Sequence, residues 1–295
     1  MFIQDFPQLG ISDDKVLVTY NGFAFVGESF LGAGYYVLNK GDLVNGGSAG
    51  CQSESVRRVR VPPNSARYGV YPAQSLSSTG RLYLAMNGNG GSGSSALVLS
   101  AVNGEPGVTM VTEDSTVLPI NSWRPPPNAV QAGSAVNLET GDASVISAIW
   151  QRGSLWLGGN EPCVPRGETV PRSCLRVIQI QTDLLSVQED ITFGSSGQDY
   201  YYPALSPDGV GNLVVVFNAS SATDFAGVRV TGRLATDPPG TLAASTLLRA
   251  GGGAQTISSG RMGDYNGAAM DPAEDRKSTR LNSSHIQKSR MPSSA

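Results

Sequence analysis

Arg261, Asp264 and Tyr265 place a guanidinium, a carboxylate and a phenol within five positions of the chain. Such a set can hold a polar ligand or move a proton, because the three groups differ in charge and in hydrogen-bonding role. The same cluster has a plainer reading, in which Asp264 caps a turn at the start of a structural repeat. Tyr201 and Tyr202, from the run Tyr200 to Tyr202, join it as candidate binding residues, read as loop-borne aromatics. Arg57, Arg58 and Arg60 invite comparison with an anion clamp. They alternate with apolar residues over Ser55 to Val61, however, which predicts a half-buried outer strand with a solvated basic face. Gly88 to Ser95 is rich in glycine and serine, yet no Lys-Ser or Lys-Thr follows it. That excludes a phosphate-cradling loop and leaves a flexible hairpin connection.

Residues 275–295 take no part in this chemistry. Asp275 to His285 resembles the in-frame translation of a common short-read sequencing adapter, and Ser289 to Ala295 resembles that adapter's downstream half. Ile286 to Lys288 fall where a barcode would. The stretch is set aside as a non-native, disordered tail. Native sequence is then expected to stop near Glu274, inside a structural unit, and the start to be either mature or truncated in the same way. Taking the tail's five basic residues and one acid from totals of 21 and 24 leaves 16 against 23, a net charge of about −7. This argues against a nucleic-acid partner. The only histidine is His285 in the tail, which excludes a Ser-His-Asp triad, a Cys-His pair and a histidine-ligated zinc site in residues 1–274. No catalytic set, metal or cofactor is expected. Cys163 and Cys174 bracket a ten-residue loop containing Pro165, Gly167 and Pro171 and have no Cys-x-x-Cys partner. They predict a disulfide, and with it a secreted, extracellular or periplasmic location. Cys51 is then unpaired. No stretch approaches the roughly 20 apolar residues of a membrane span.

The elements that must position these groups announce themselves by repetition. A short apolar run ending in asparagine occurs four times, at Val16–Asn21, Leu82–Asn87, Leu155–Asn160 and Leu213–Asn218. The runs start 66, 73 and 58 residues apart, and three of them follow a proline (Pro7, Pro72, Pro203) by nine or ten residues. A proline-marked edge strand, a polar turn and a buried strand form a unit long enough for a four-stranded sheet with generous loops. Glycine, at 36 of 295 residues, is above the usual share of about 7% and punctuates short β-branched and aromatic runs.

The expected fold is therefore all-β, a β-propeller with four visible four-stranded blades and the start of a fifth. Blades are expected near 1–66, 67–127, 128–197 and 198–258, with a fragment at 259–274. Because such a ring closes last blade to first, six or more blades are expected in the whole molecule. The visible part should then be marginally stable, with two blade faces left open. Within the units, Phe6–Ile11 reads as an edge strand and Phe30–Leu38 as a third strand. Asn39–Val44 reads as a short helical turn that seats Leu43 and Val44. Pro125–Pro127 reads as a stiff connector and Arg152-Gly153 as a hairpin turn.

Three stretches carry a family resemblance. Arg-x-Gly-Asp-Tyr-x-Gly-Ala-Ala-x-Asp-Pro at 261–272, Tyr200-Tyr201-Tyr202-Pro203-Ala204-Leu205 and the Cys163 loop together resemble a group of uncharacterised bacterial secreted proteins. These are usually described as sialidase-like or BNR-type propellers. The resemblance spans most of residues 5–272 and implies the fold and secretion. Ser206-Pro207-Asp208-Gly209-Val210-Gly211 resembles the aspartate-box turn of such propellers (Ser-x-Asp-x-Gly-x-x-Trp), with its glycine one place late and no tryptophan. Two functions follow. One is a secreted or surface-displayed binding or structural propeller that presents channel-face loops to a glycan or a protein. The other is a sialidase-type glycoside hydrolase. The resemblance implies for it an arginine triad, a Tyr-Glu nucleophile pair and an acid aspartate, to be drawn from Arg57, Arg58, Arg60, Arg81, Arg261, Tyr265, Glu161 and Asp264.

Overall fold

The computed structural model describes residues 2–45 and 56–269. Cys51, the end of the 261–272 motif and the tail from Asp275 lie outside the described residues. The first sheet comprises β1 (Phe2–Ile11), β2 (Lys15–Ala24), β3 (Phe30–Asn39) and β4 (Arg58–Asn64), and the helix α1 (Lys40–Asn45) follows β3. The second comprises β5 (Tyr71–Pro72), β7 (Leu82–Asn87), β8 (Ala96–Asn103) and β9 (Thr112–Pro119), with the short β6 (Gln74–Ser75) continuing the line of β5. The third contains β10 (Val145–Gln151), β11 (Ser154–Cys163), β12 (Arg172–Gln181) and β13 (Ser186–Phe193). The fourth contains β14 (Asp199–Pro207), β15 (Leu213–Ser220), β16 (Gly227–Arg233) and β17 (Thr246–Arg249). Each is an antiparallel meander. The molecule is all-β: β6 joins the first and third meanders into one nine-stranded sheet, the second and fourth meanders are four-stranded, and the sheets do not close into a ring among the described residues.

The asparagine-ended phrases are the second strands β2, β7, β11 and β15. In β7 and β11 the continuous apolar character follows from burial on both faces. In β7, Leu82 and Leu84 pack with Leu17, Tyr35 and Val37 of the first sheet, while Tyr83 and Ala85 pack with Trp150, Leu155 and Leu157 of the third. In β11 the alternation repeats: Leu155 and Leu157 face the second sheet, and Trp156 faces Leu205, Leu213 and Phe217 of the fourth. The four sheets therefore stack in chain order with three apolar layers between them. Burying one such leucine stabilises the fold by roughly 1.5–3 kcal/mol.

The asparagines close the phrases for a reason of their own. Each is a buried amide in the C-terminal half of its strand, and buried polar groups need partners. Asn21 Oδ1 accepts from the Gly69 N–H at 3.2 Å. Asn160 Oδ1 accepts from the Tyr202 N–H at 2.7 Å, and its Nδ2 donates to the Thr140 carbonyl at 2.7 Å. Asn218 Nδ2 donates to the Gly263 carbonyl at 3.2 Å. Three of the four thus tie a sheet to backbone that leads into the next unit. Asn87 instead accepts from Asn89 N–H and Ser94 Oγ within its own hairpin.

The first strands of the sheets lie side by side. β6 pairs in parallel with β1 (Ile11 with Gln74) and with β10 (Ile149 with Gln74, Trp150 with Ser75). β14 is linked to β10 by the Leu205 N–H, which donates to Ser147 Oγ at 3.1 Å. The expectation that Phe6–Ile11 is an edge strand is therefore corrected: β1 is interior, flanked by β2 and β6. Pro7 is accommodated by a bulge between Asp5 and Gln8, where Phe6 takes φ 54°. Pro203 sits in the matching bulge of β14, with Tyr202 at φ 56°. A bulge is the usual place for proline inside a sheet, since it supplies no N–H to the ladder.

Other expectations are met or corrected locally. β4 is an outer strand whose Arg58 and Arg60 face solvent while Val59 and Val61 are half-buried. α1 forms, but it buries none of its residues, and Val44 is 72% exposed. It follows β3 as one short turn with its apolar side chains left in solvent. Arg152 and Gly153 turn between β10 and β11 with φ of 47° and 87°, the twist a two-residue hairpin requires. The 88–95 connection contains a 3-10 turn at Gly90–Ser92. Asp208 accepts from the N–H groups of Val210 and Asn212, so the Ser206–Gly211 segment is an aspartate-capped turn between β14 and β15. A disulfide joins Cys163 of β11 to Cys174 of β12, with Cα atoms 5.8 Å apart, and closes the loop between the two strands.

Candidate functional site

Two extended segments, 128–144 ahead of β10 and 250–269 after β17, cross near the first strands and assemble the Arg261 cluster. Gln131 Nε2 donates to the Gln255 carbonyl at 2.8 Å, and the Gln255 N–H donates back to Gln131 Oε1 at 2.8 Å. The Glu139 N–H then donates to the Gly260 carbonyl at 3.0 Å. Gly260 and Gly263 take φ of 67° and 77°, with backbone of Asn137 and the Asn218 amide lying where a Cβ would be. Only glycine fits such left-handed, closely approached positions without strain.

This crossing brings Glu139 to Arg261 although they are far apart in sequence. Arg261 donates to Asp264 Oδ2 from Nε at 3.1 Å and from Nη2 at 2.5 Å, and its Nε lies 3.5 Å from Glu139 Oε2. Tyr202 lies beneath, its Oη donating to the Glu139 carbonyl at 3.2 Å and its own carbonyl accepting from Asn266 Nδ2 at 2.6 Å. Burial pushes the Tyr202 phenol well above its ordinary pKa, and the carboxylates of Asp264 and Glu139 push it further. It is a neutral hydrogen-bonding group at any physiological pH.

Tyr265 forms the exposed part. Its side chain is 63% exposed, and its ring stands 6.3 Å from that of Phe6 in β1. Partial burial raises its pKa, Asp264 and Asp5 raise it further, and Arg261 opposes them. Tyr71 of β5 is held at about 12 by burial and by the neighbouring Tyr265 phenol. Phe6 and Tyr265 thus bring aromatic surface from two separate segments to one place, beside the network of Arg261, Asp264 and Glu139. The arrangement offers ring faces for stacking beside charged donors and acceptors.

No family model matches the chain, and no curated protein matches it. Among solved structures, a protein of unknown function from Dyadobacter fermentans DSM 18053 is similar at 10% identity and a TM-score of 0.43, over 92% of this chain and 73% of that one. An α-L-arabinanase of Cellvibrio cellulosa, solved in complex with arabinohexaose, is similar at 13% identity and a TM-score of 0.39, over 80% and 76%. Likenesses this distant carry no argument about this site.

The sequence-predicted residues divide. Arg261, Asp264, Tyr265 and Tyr202 come together. Tyr201 does not join them: it is fully buried among Ala129, Leu138 and Ala226, its ring edge-on to Tyr202. The reading of Tyr200 to Tyr202 as loop-borne is corrected, since all three lie on β14 and are at most 5% exposed. The residues proposed for a hydrolase scatter. Arg57 is paired with Asp42, Arg60 stands over Phe2 and Tyr36, and Arg81 lies in the turn ahead of β7. Glu161 is buried and bonded to Arg176, which also holds Asp190. Burial keeps the Glu161 carboxyl above its ordinary range in spite of that partner. Among the described residues, Arg261 is the one member of the proposed arginine set at the crossing.

Phe6 and Glu139 were missed by sequence reasoning. The only signal for Phe6 is that it directly precedes the proline of its repeat. Among the described residues no three His, Cys, Asp or Glu side chains are placed to share a metal ion. A groove of about 250 Å³ lies along β16 and β17, next to Phe225 and Leu247. Its polar groups already satisfy one another, Gln198 with Asp224 at 2.9 Å and Arg229 with Ser245 at 3.0 Å. Phe225, 36% exposed, is the one aromatic side chain in its lining.

Proposed function

We propose that this chain is a secreted or cell-surface β-propeller unit that binds a glycan at the mouth formed where the first strands meet. The propeller reading is supported by four antiparallel meanders stacked in order with their first strands adjacent. Its units divide near residues 66, 127, 197 and 258. Tyr265, in the segment that follows the fourth sheet, reaches Phe6 in the first strand of the first sheet. The Cys163–Cys174 disulfide supports export to an oxidising compartment, and no helix among the described residues is long and apolar enough to cross a membrane.

The observation that carries the glycan reading is the exposed Tyr265 ring between Phe6 and the Arg261–Asp264–Glu139 network. Sugars present apolar C–H faces and rings of hydroxyls, and a ring face next to fixed charged donors and acceptors matches both. A hydrolase of the sialidase type needs several arginines about one substrate carboxylate, and the scatter of Arg57, Arg58, Arg60 and Arg81 over other surfaces disfavours it. The test is a glycan array probed with the protein and with Tyr265→Ala. A set of related glycans bound by the first and lost by the second supports the proposal. Glycan binding that survives Tyr265→Ala places the site elsewhere.

A further inference from the structure

Six asparagines of this chain stand directly before glycine: Asn21, Asn45, Asn87, Asn89, Asn103 and Asn266. Such a pair is chemically reactive, because the glycine nitrogen can attack the asparagine side-chain carbonyl with no side chain in its way. The reaction needs a glycine whose N–H is free and whose backbone can turn. Folded structure withholds these conditions at most of the pairs. Asn45 is followed by a glycine outside the described residues. Asn21 and Gly22 lie inside β2, paired on one side with β1 and on the other with β3. The Gly88 N–H donates to the Ala96 carbonyl at 2.8 Å, and Asn87 is buried. Gly90 takes φ 57°, and a Cβ on it would stand 2.9 Å from the Tyr68 Cβ. Gly104 takes φ 79° against the Met110 carbonyl, and the Asn103 amide donates to Asp114 Oδ2 at 3.0 Å. Asn266 differs. Gly267 is exposed, and beyond its chain neighbours no atom lies within 4 Å of where its Cβ would be. Its N–H donates to no group among the described residues. One bond holds the Asn266 side chain, from Nδ2 to the Tyr202 carbonyl at 2.6 Å.

We propose that Asn266 is a deamidation site, and that its conversion is a slow, one-way covalent switch on the mouth. The Gly267 nitrogen gives its proton to hydroxide and bonds to the Asn266 side-chain carbonyl carbon. The carbon–nitrogen bond of the side-chain amide breaks, and the departing nitrogen takes up a proton from water and leaves as ammonia. A succinimide ring remains, which water opens at either carbonyl to give aspartate or isoaspartate. The sum is one water consumed and one ammonia released, with no oxidant or reductant. The product turns a carboxylate oxygen toward the Tyr202 carbonyl where an N–H donor stood, so that bond is lost and two acceptors face each other. The new charge stands close along the chain to Asp264, and isoaspartate lengthens the backbone by a methylene directly after Tyr265. The modification stands on the geometry of the Asn266–Gly267 pair alone. Its effect on ligand binding rests on the glycan reading of Tyr265.

The experiment ages the whole protein in mildly alkaline buffer and follows, by mass spectrometry of a tryptic map, the peptide that begins at Met262. Asn266 should convert at least about tenfold faster than Asn21, Asn87, Asn89 or Asn103, each of which must open locally before it reacts. Isoaspartate should appear together with aspartate, as opening of the ring requires. Gly267→Ala, a change into open space, should slow the conversion at least about tenfold by restricting the backbone. Asn266→Asp should lose the glycans that Tyr265→Ala loses, and its amide hydrogens across 260–266 should exchange about tenfold faster than in the unchanged protein. Faster conversion at Asn89 or Asn103, or aspartate without isoaspartate, overturns the site. Unaltered exchange in Asn266→Asp overturns the switch. Conversion at Asn266 with faster exchange, in a protein that binds no glycan, upholds this inference and overturns the glycan reading instead.

Discussion

Replacing Asn160 by alanine should damage the fold more than the same change at any of the other three phrase-ending asparagines. Asn160 is 1% exposed, and its amide holds the Tyr202 N–H and the Thr140 carbonyl, both at 2.7 Å. Alanine leaves both backbone groups buried without a partner, at about 1–3 kcal/mol each, so the loss should be about 2–6 kcal/mol. Against a total stability of about 5–15 kcal/mol this is large. Asn87→Ala removes bonds only within its own hairpin, while Asn21 and Asn218 each hold the next unit by one hydrogen bond of 3.2 Å. Each of those changes should cost about 1 kcal/mol. Asn160→Asp is no rescue, because it retains an acceptor for Tyr202 but turns a second oxygen toward the Thr140 carbonyl. The assay is urea unfolding followed by the fluorescence of Trp123, Trp150 and Trp156, with the slope against urea unchanged between variants. A loss below about 1 kcal/mol for Asn160→Ala, or a larger loss for Asn87→Ala, would refute the role given to the repeated amide.

Arg176→Met should destabilise by about 3–5 kcal/mol, because it strands the buried Glu161 and the largely buried Asp190. The double change with Glu161→Leu should recover part of that loss in the same urea experiment. Reducing the Cys163–Cys174 bond, which spans 11 residues, should cost about 2–3 kcal/mol. A non-reduced digest should yield the two cysteines in one linked peptide. Asp42 is held down at about 2 by hydrogen bonds from Arg57. A depressed carboxyl stabilises the folded state above its unfolded value of 3.8 and loses that contribution as pH falls through about 2. An NMR titration should find its midpoint near 2, and in Arg57→Ala the midpoint should move up toward 3.8.

Much of the strand pattern was legible because it has one physical cause. A strand buried on both faces must be apolar throughout, and an amide at its end must find a partner. Leu82–Asn87 and Leu213–Asn218 therefore read the same way in sequence and sit in the same place in their sheets. Alternation also exposed β4, where Arg58 and Arg60 lie opposite Val59 and Val61. What stayed hidden depends on backbone irregularity and on chain crossing. β14 is buried along its whole length, and the positive φ of Tyr202 breaks its alternation, so that Tyr201 and Tyr202 pack in one cluster and Tyr200 in another. Nothing in the run itself says that Tyr202 reaches the site and Tyr201 does not. Likewise Phe6 and Glu139 meet Tyr265 and Arg261 only because segments 128–144 and 250–269 cross the first strands. Periodicity within a segment says which face is buried, not which distant segment covers it. Leu43 and Val44 illustrate the converse: a helical turn was legible, but among the described residues none of its side chains is buried.

The central claim is that the crossing of these segments is a ligand site. The measurement that tests it most directly is a crystal structure of the protein bound to the tightest glycan found on the array. A sugar ring is expected against the exposed face of Tyr265, between Phe6 and the Arg261–Asp264 pair. A glycan seated instead in the groove beside Phe225 and Leu247, with Tyr265 still in solvent, would contradict it.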